Sequence, residues 1–392
     1  MTARRLFWLA LLVGCALRLL LVSLAMFAGP YDPYERRFGD PQIYVTLGLR
    51  LAQGEGYGPT AIKAPGYPVF LAAFFRVFGY HLHAIVMVQA LVSALTAVFV
   101  FLAARALRPA TAAWAFLIAL AYYPFWFDAV YLVCETLLTC LTAAALWAMV
   151  AWRPAAAGAL AALTILTKAV TWPFWVVVGL VRRGRLAYFV PFALLLAPWV
   201  WHTGGSVAPS YLGYQLIQLH NPGNRDFALF SRPGDLNEAY PGLLLATAHA
   251  VKRAPREPDP LKREYALNRT MMEDALAFIW AEPWQAIRAV GRSLQNMWRI
   301  DYPHGNWLRW VCNAVFYVGL LPFVVVGSWR AVREGPLGAR LVVAFLVYFV
   351  AVHAMVASEI RYRISAMPAY FVLAALALPA VPRWLRPNQA ES

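Results

Sequence analysis

Apolar runs of about twenty residues alternate with polar breaks through most of this chain, and every second break is rich in arginine. At about twenty residues per bilayer crossing, the pattern predicts ten spans. They are Leu6–Ala28, His83–Leu107, Ala110–Phe127, Tyr131–Ala151, two sharing Pro154–Val181, Leu186–His202, Leu308–Trp329, Leu341–Ala357 and Tyr362–Val381. The shared run breaks around Lys168–Pro173 and is short for two crossings, so it predicts tilted or partly re-entrant helices. Two polar interruptions are long, Gly29–Leu82 and Thr203–Trp307. The first predicts an amphipathic helix after Asp40, with Ile43, Leu47, Leu49 and Leu51 on its apolar face, then an interfacial segment over Pro68–Tyr80. The second predicts irregular chain over Thr203–Pro260, dense in Gly, Pro, Asn and Asp. A helical stretch follows over Lys262–Trp298, with Leu267, Met271, Ala275, Phe278 and Ile279 on one face and Glu264, Arg269, Glu273 and Asp274 elsewhere.

The predicted fold class is an all-α polytopic membrane protein: a bundle of about ten helices, interfacial helices in the first outer loop and a small outer-face insertion. Residues 1–202 form an N-terminal bundle that includes the outer loop 29–82. Residues 203–307 form a partly helical outer-face region, and residues 308–392 carry the last membrane helices. The run Leu6–Ala28 reads as a retained first helix rather than a signal peptide, because it is long enough to span and holds Arg18 near its middle.

Composition fits this reading. Hydrophobic residues make up 61% and charged residues 14%, against about 45–50% and about 25% for soluble domains. The formal charge of +15 falls in clusters at Arg4/Arg5, Arg105/Arg108, Arg153, Arg182/Arg183/Arg185, Arg330/Arg333/Arg340 and Arg383/Arg386. With ten spans all of them lie on one side, the cytoplasmic side under the positive-inside rule. Nucleic acid is excluded as a partner, since no basic stripe with interleaved aromatics occurs. The four cysteines have no metal-ligand spacing and indicate no disulfide framework. His81 and His83 lack a local third ligand. No metal site and no cofactor are expected, with a divalent ion left open.

Several ionisable residues stand where a membrane chain places them at a cost. Asp40 begins the helix of the first outer loop, where it can act as a general base or simply cap the helix. Lys63, in the turn before the interfacial segment, can contact a lipid phosphate or snorkel. Glu135, Arg18 and Lys168 fall inside spans, and such residues are functional candidates by default; the plain alternative pairs Glu135 with Arg18 or Lys168. At the outer end of the last span, His353, Glu359, Arg361 and Arg363 gather two guanidiniums suited to phosphate, with Glu359 available to neutralise one. No Walker, Rossmann or nucleophile-elbow motif is present.

These residues resemble a known pattern. Gly39-Asp40 with Tyr44, Leu51-Ala52 and Gly54, then Lys63-Ala-Pro-Gly-Tyr67-Pro, are similar to the first outer loop of GT-C glycosyltransferases of the protein-mannosyltransferase and aminoarabinose-transferase superfamily. Glu135-Thr-Leu, Leu163 to Lys168, Ala197-Pro198-Trp199, Asn221-Pro222, Ala281 to Trp284 and Arg361-Tyr-Arg363 with Pro368 extend the resemblance over nearly the whole chain. Lys63 stands where many members have Arg, Cys134 replaces a hydroxyl residue, and Trp201-His202 replaces an Arg-Asn pair.

The resemblance implies a GT-C-like bundle and an inverting transfer of sugar from a polyprenyl-phosphate carrier to an acceptor hydroxyl of a glycan, lipid or protein, at the outer face of a bacterial-type inner membrane. It implies Asp40 as the catalytic residue, Lys63, Lys168, Arg361 and Arg363 on the donor phosphate, and Tyr44, Tyr67, Glu135, His353 and Glu359 supporting the pocket. The other readings are a transporter or flippase of lipid-linked sugars, or a non-catalytic assembly subunit with the same fold.

The topology is checked by single-cysteine labelling in a cysteine-free background. Positions 56 and 234 are expected to react from outside, and positions 184 and 335 only after permeabilisation. Cytoplasmic-only labelling at position 56 overturns both the topology and the outer placement of Asp40.

Overall fold

The structure, a computed structural model, describes residues 3–27, 40–222, 241–300, 307–356, 358 and 360–380. Among these the regular elements are all helical. The N-terminal part runs α1 (Ala3–Phe27), α2 (Asp40–Gln53), α3 (Gly66–Phe78), α4 (Leu82–Leu107), α5 (Ala112–Ala121), α6 (Pro124–Phe127), α7 (Glu135–Val150), α8 (Pro154–Thr167), α9 (Trp172–Val181) and α10 (Arg185–His202). The next four helices are α11 (Leu212–Leu219), α12 (Pro241–Arg253), α13 (Pro260–Ala281) and α14 (Pro283–Met297). The chain closes with α15 (Trp307–Asn313), α16 (Leu321–Arg333), α17 (Leu337–Ala354) and α18 (Met367–Ala377). A π-helical turn, Ala314–Gly319, joins α15 to α16. A 3₁₀ segment, Ile360–Ala366, leads into α18.

The chain is a polytopic helical membrane protein. Among the described residues four stretches are long and apolar enough to cross a bilayer, Phe7–Leu24, Leu82–Leu107, Trp310–Arg333 and Leu337–Ala354, and a fifth if a bent pair counts as one. That pair is the predicted third span, bent by 47° between Pro109–Ala121 and Pro124–Val130. The fourth predicted span begins as helix only at Glu135. The run shared by the fifth and sixth breaks at Lys168, within the expected stretch, where a 3₁₀ turn, Ala169–Thr171, separates α8 from α9. At 1.5 Å per residue, α8 and α9 are each shorter than the roughly 30 Å hydrocarbon core. The tenth span opens as 3₁₀ rather than α. The ends of the first and last predicted spans, at Ala28 and Val381, lie outside the described residues.

Among the described residues the core has two large parts and a small third. One surrounds α18, whose residues Met367 to Leu376 are all buried. A helix apolar on every face reads as central rather than peripheral, and α18 packs against α4, α5, α16 and α17. The second part joins Val22 and Met26 of α1 to Tyr44 and Val45 of α2, Tyr67 and Leu71 of α3, and Ile85 and Val86 of α4. This corrects the expected apolar face of α2. Of Ile43, Leu47, Leu49 and Leu51 only Leu47 is buried, and it joins Tyr44, Val45 and Gly48, because α2 packs against α3 instead of resting its face on lipid. The described parts of 203–260, residues 203–222 and 241–260, are likewise less irregular than the composition predicts: α11 and α12 form there and share a small core, Ile217, Ala250, Met271 and Ala275, with α13.

Close helix contacts depend on glycine. A Cβ at Gly327 would lie 1.9 Å from the Leu373 carbonyl oxygen, and one at Gly158 would lie 2.0 Å from that of Tyr188. Small residues at such crossings let membrane helices approach backbone to backbone. Gly327→Val is therefore expected to lose about 1–3 kcal/mol by overpacking, seen as a lower melting temperature of the purified protein. Gly291→Ala, where an added Cβ meets nothing within 4 Å, is expected to leave the melt unchanged or raise it. Equal effects of the two would contradict the close packing of α16 on α18.

Candidate active site

Asp40 is the first residue of α2. Pro41 suits the first turn, since its fixed φ is already helical, and the carboxylate there meets the positive end of the helix dipole. Two cations from distant parts of the chain hold it. Lys63 Nζ lies 2.7 Å from Oδ1, and Arg361 Nη2 lies 2.8 Å from Oδ2. Only 17% of the Asp40 side chain is exposed, with 10% for Lys63 and 9% for Arg361. Burial pushes the Asp40 carboxyl up, but the Arg361 and Lys63 charges, with the hydrogen bonds from both, outweigh it and hold the group at about 2. At 2.7–2.8 Å and an effective dielectric near 20, each attraction is about 6 kcal/mol before desolvation, enough to offset a burial penalty of several kcal/mol per ion.

A second carboxylate completes the cluster. Glu135 opens α7, again at a positive helix end, and its Oε1 lies 3.5 Å from Lys168 Nζ and 3.9 Å from Arg361 Nε. Lys168 ends α8 and its ammonium sits 3.7 Å over the Tyr362 ring. Three cations thus face two carboxylates, an electrostatic setting suited to an added anion. Thr139 of α7 contacts Ser365 at 3.2 Å, fastening the 3₁₀ segment beside Glu135.

The loop carrying Lys63 is braced from outside. Gly54, Gly56 and Gly58 adopt positive φ, which glycine alone reaches readily. Thr60 Oγ1 donates to Glu264 Oε1 at 2.6 Å, and the Ala61 amide donates to Oε2 at 2.8 Å. Ser210 Oγ donates to the same Oε2 at 2.8 Å. Tyr57 OH donates to the Lys63 carbonyl at 2.7 Å, and His202 Nε2 lies 2.9 Å from the Thr60 carbonyl. The Lys63 ammonium sits 4.6 Å over the Tyr211 ring and 5.6 Å over Tyr44.

The structure thus brings Asp40, Lys63, Glu135, Lys168 and Arg361 together, with Tyr44 forming one wall. Tyr44 donates to Cys134 Sγ at 3.3 Å and meets Tyr67 edge-on at 5.0 Å. Tyr67 donates onward to Gln89 at 2.6 Å, behind the wall. His353 is buried, stacks on Phe349 at 4.1 Å and lies 5.4 Å from Tyr362, so it backs the Tyr362 ring.

Arg363 departs from its expected place on the donor phosphate. It donates to the backbone carbonyls of Met297 and Arg299 at 3.0 and 2.6 Å and stacks over Tyr317 at 3.9 Å. Two residues apart on a 3₁₀ segment, at about 120° per residue, the two arginines point to different sides. Glu359 lies outside the described residues; Arg361 is held by Asp40. Arg18 does not pair with Glu135, but donates to Gly14 O at 3.2 Å, Leu120 O at 2.8 Å and Ser93 Oγ at 3.2 Å. No group of three or more His, Cys, Asp or Glu side chains able to hold a metal occurs among the described residues. The sequence pattern set Glu264 off the apolar face of its helix and gave Tyr57, Tyr211 and Tyr362 no role; the partners of Glu264, Tyr211 and Tyr362 are too remote in sequence for periodicity to reveal.

No protein-family model matches the chain, and no curated protein matches it. Among solved structures it is similar to ArnT from Cupriavidus metallidurans bound to undecaprenyl phosphate, at 17% identity over 92% of this chain and 76% of that one, with a TM-score of 0.40. It is also similar to ArnT from the same organism in the apo state, at 15% identity, the same coverages and a TM-score of 0.38.

Removing the outer brace tests how Lys63 is held. Glu264→Ala is expected to speed amide hydrogen exchange over residues 57–64 by tenfold or more, while α2 stays protected. Unchanged exchange in that loop would show that Tyr57 and His202 suffice to hold it.

Proposed function

We propose that this protein is a GT-C-type glycosyltransferase that moves a sugar from a polyprenyl-phosphate carrier to an acceptor hydroxyl, with inversion, at the outer face of the cytoplasmic membrane. The observation that carries the reading is the Asp40 carboxylate clamped between Lys63 and Arg361 at the head of α2. The motif resemblance points to the same residue.

The chemistry follows from charge. The donor phosphate takes the contacts of Lys63 and Arg361 that the Asp40 carboxylate occupies, with Lys168 close by through Glu135. Asp40 then accepts the proton of the acceptor hydroxyl while that oxygen bonds to the anomeric carbon. The bond from that carbon to the phosphate oxygen breaks, and the electron pair leaves on the carrier phosphate. This leaving group gains negative charge rather than needing a proton, so cations replace the acid of a glycoside hydrolase. A carboxylate at about 2 is a weak base; drawing Lys63 and Arg361 onto the phosphate raises its proton affinity only when donor is present. The hydroxyl is thereby deprotonated in the ternary complex and not before.

Purified protein incubated with a panel of polyprenyl-phosphate sugars tests the reading directly, with free polyprenyl phosphate as the readout. Asp40→Asn is expected to lower turnover by roughly 10²–10⁴-fold; near-normal turnover removes Asp40 as base, because Asn caps a helix about as well as Asp. Arg361→Ala is expected to lower kcat, whereas Arg363→Ala is expected to act through a lower melting temperature.

The pH dependence has a definite sign. A depressed carboxyl contributes stability that is present above its unfolded value and lost as pH falls through the folded one, here about 2. Asp40 therefore stays ionised at neutral and mildly acidic pH. The acid limb of kcat/KM, which reports free enzyme, is expected below the acid limb of kcat, which reports the complex. Coincident limbs would mean that donor leaves the Lys63 and Arg361 clamp in place.

A further inference from the structure

Basic residues are distributed unevenly by type in this chain. Of its 34 lysines and arginines only four are lysines, Lys63, Lys168, Lys252 and Lys262. Two of the four stand in the charged cluster, and both put their ammonium against tyrosine rings. Lys168 Nζ lies 3.7 Å from the ring centroid of Tyr362. Lys63 Nζ lies 4.6 Å from that of Tyr211 and 5.6 Å from that of Tyr44. All three distances fall within the ~6 Å reach of a cation–π attraction, which strengthens as the cation leaves water. Only 10% of the Lys63 side chain and 19% of the Lys168 side chain are exposed.

A ring does for these cations what a third carboxylate could not. It attracts the ammonium without adding a negative charge, so the positive charge stays available to an incoming anion. An ammonium also has three donors. Asp40 takes one from Lys63 at 2.7 Å, and Glu135 lies 3.5 Å from Lys168. Each lysine thereby keeps donors for a ligand oxygen while its charge is held in place.

Both rings are fixed by contacts that do not involve the lysines. Ser210, next to Tyr211, donates its amide to the Ala61 carbonyl at 2.8 Å and its hydroxyl to Glu264 Oε2 at 2.8 Å. The backbone bond sets Tyr211 in register with the Lys63 loop, and Tyr214 packs on the Tyr211 ring at 5.0 Å. Tyr362 lies between Arg361, bonded to Asp40, and Arg363, bonded to the Met297 and Arg299 carbonyls. At about 120° per residue on a 3₁₀ segment, three successive side chains face three directions, and the middle one meets Lys168.

We propose that Tyr211 and Tyr362 are positioning residues whose rings seat the Lys63 and Lys168 ammoniums, keeping both aimed at the donor phosphate when Asp40 and Glu135 release them. The seats stand on their own geometry; their use in turnover rests on the transfer reaction proposed above.

Full-length protein carrying ε-13C lysine in phosphatidylcholine nanodiscs tests the seats by NMR without turnover. Lys63→Arg and Lys168→Arg assign the signals of those two residues. Ring currents are expected to displace both upfield of the exposed Lys252 and Lys262. Tyr362→Leu is expected to remove the displacement from the Lys168 signal alone, and Tyr211→Leu to reduce it for Lys63 alone. A displacement that is missing from the parent protein, or that survives these changes, overturns the proposal. Turnover with a polyprenyl-phosphate sugar then reads the consequence. Tyr362→Leu is expected to lower kcat/KM about ten- to thirtyfold, while Tyr362→Phe, which keeps the ring, stays within about threefold. Equal losses would give the role to the hydroxyl and overturn the seat. Should the leucine variant melt early, phenylalanines of increasing fluorine content at position 362 keep the shape and weaken the negative face of the ring. A stepwise fall in kcat/KM at constant melting temperature supports the seat, and a flat series overturns it. Ring-dependent lysine signals in a protein that turns over no donor keep the seats and discard the transfer reaction.

Discussion

Asp40, Lys63 and Arg361 meet on one carboxylate in a nearly dry place, and much of the surrounding chain is arranged to make that meeting affordable. A buried ion is tolerated only when its partners are already in position. Helix starts place Asp40 and Glu135 where backbone amides favour negative charge, and a helix end places Lys168 where carbonyls favour positive charge. The braces act at one remove. Glu264 ties the Lys63 loop to α13, and Arg363 ties the 3₁₀ segment to the end of α14. Neither touches Asp40, yet each fixes a residue that does.

The membrane character was legible because it depends on composition and on runs of residues, both local properties. Asp40, Lys63, Glu135, Lys168 and Arg361 stood out because charge beside apolar segments is conspicuous. What the sequence hid was direction. Arg361 and Arg363 are the same residue type two positions apart, and only the backbone geometry turns one toward Asp40 and the other toward Met297 and Arg299. Glu264 was hidden for the opposite reason. On a helix of mixed polarity it looks like an ordinary solvated glutamate, and its partner Thr60 lies 204 residues away.

The apolar pattern also overstated regularity. Segments that read as uninterrupted spans start late at Glu135, bend at Tyr122–Tyr123, or open as 3₁₀ at Ile360. Irregular backbone at membrane depth is tolerated where protein or a polar cavity surrounds it. Two of these departures, at Glu135 and Ile360, adjoin the charged cluster. The stretch after α10 departed the other way, forming α11 and α12 where glycine and proline predicted loop, because a shared core with α13 outweighs local preference.

The 3₁₀ segment ahead of α18 gives the chain an unusual sensitivity to length. One residue inserted between Arg363 and Met367 need change neither hydropathy nor charge, yet continued 3₁₀ winding would swing Arg361 about 120° around the axis relative to the buried helix. A deletion would swing it the other way. Divergence in this stretch is therefore constrained in register more than in composition: apolar residues can replace one another, but the number of residues between Arg361 and the buried wall of α18 has to stay fixed.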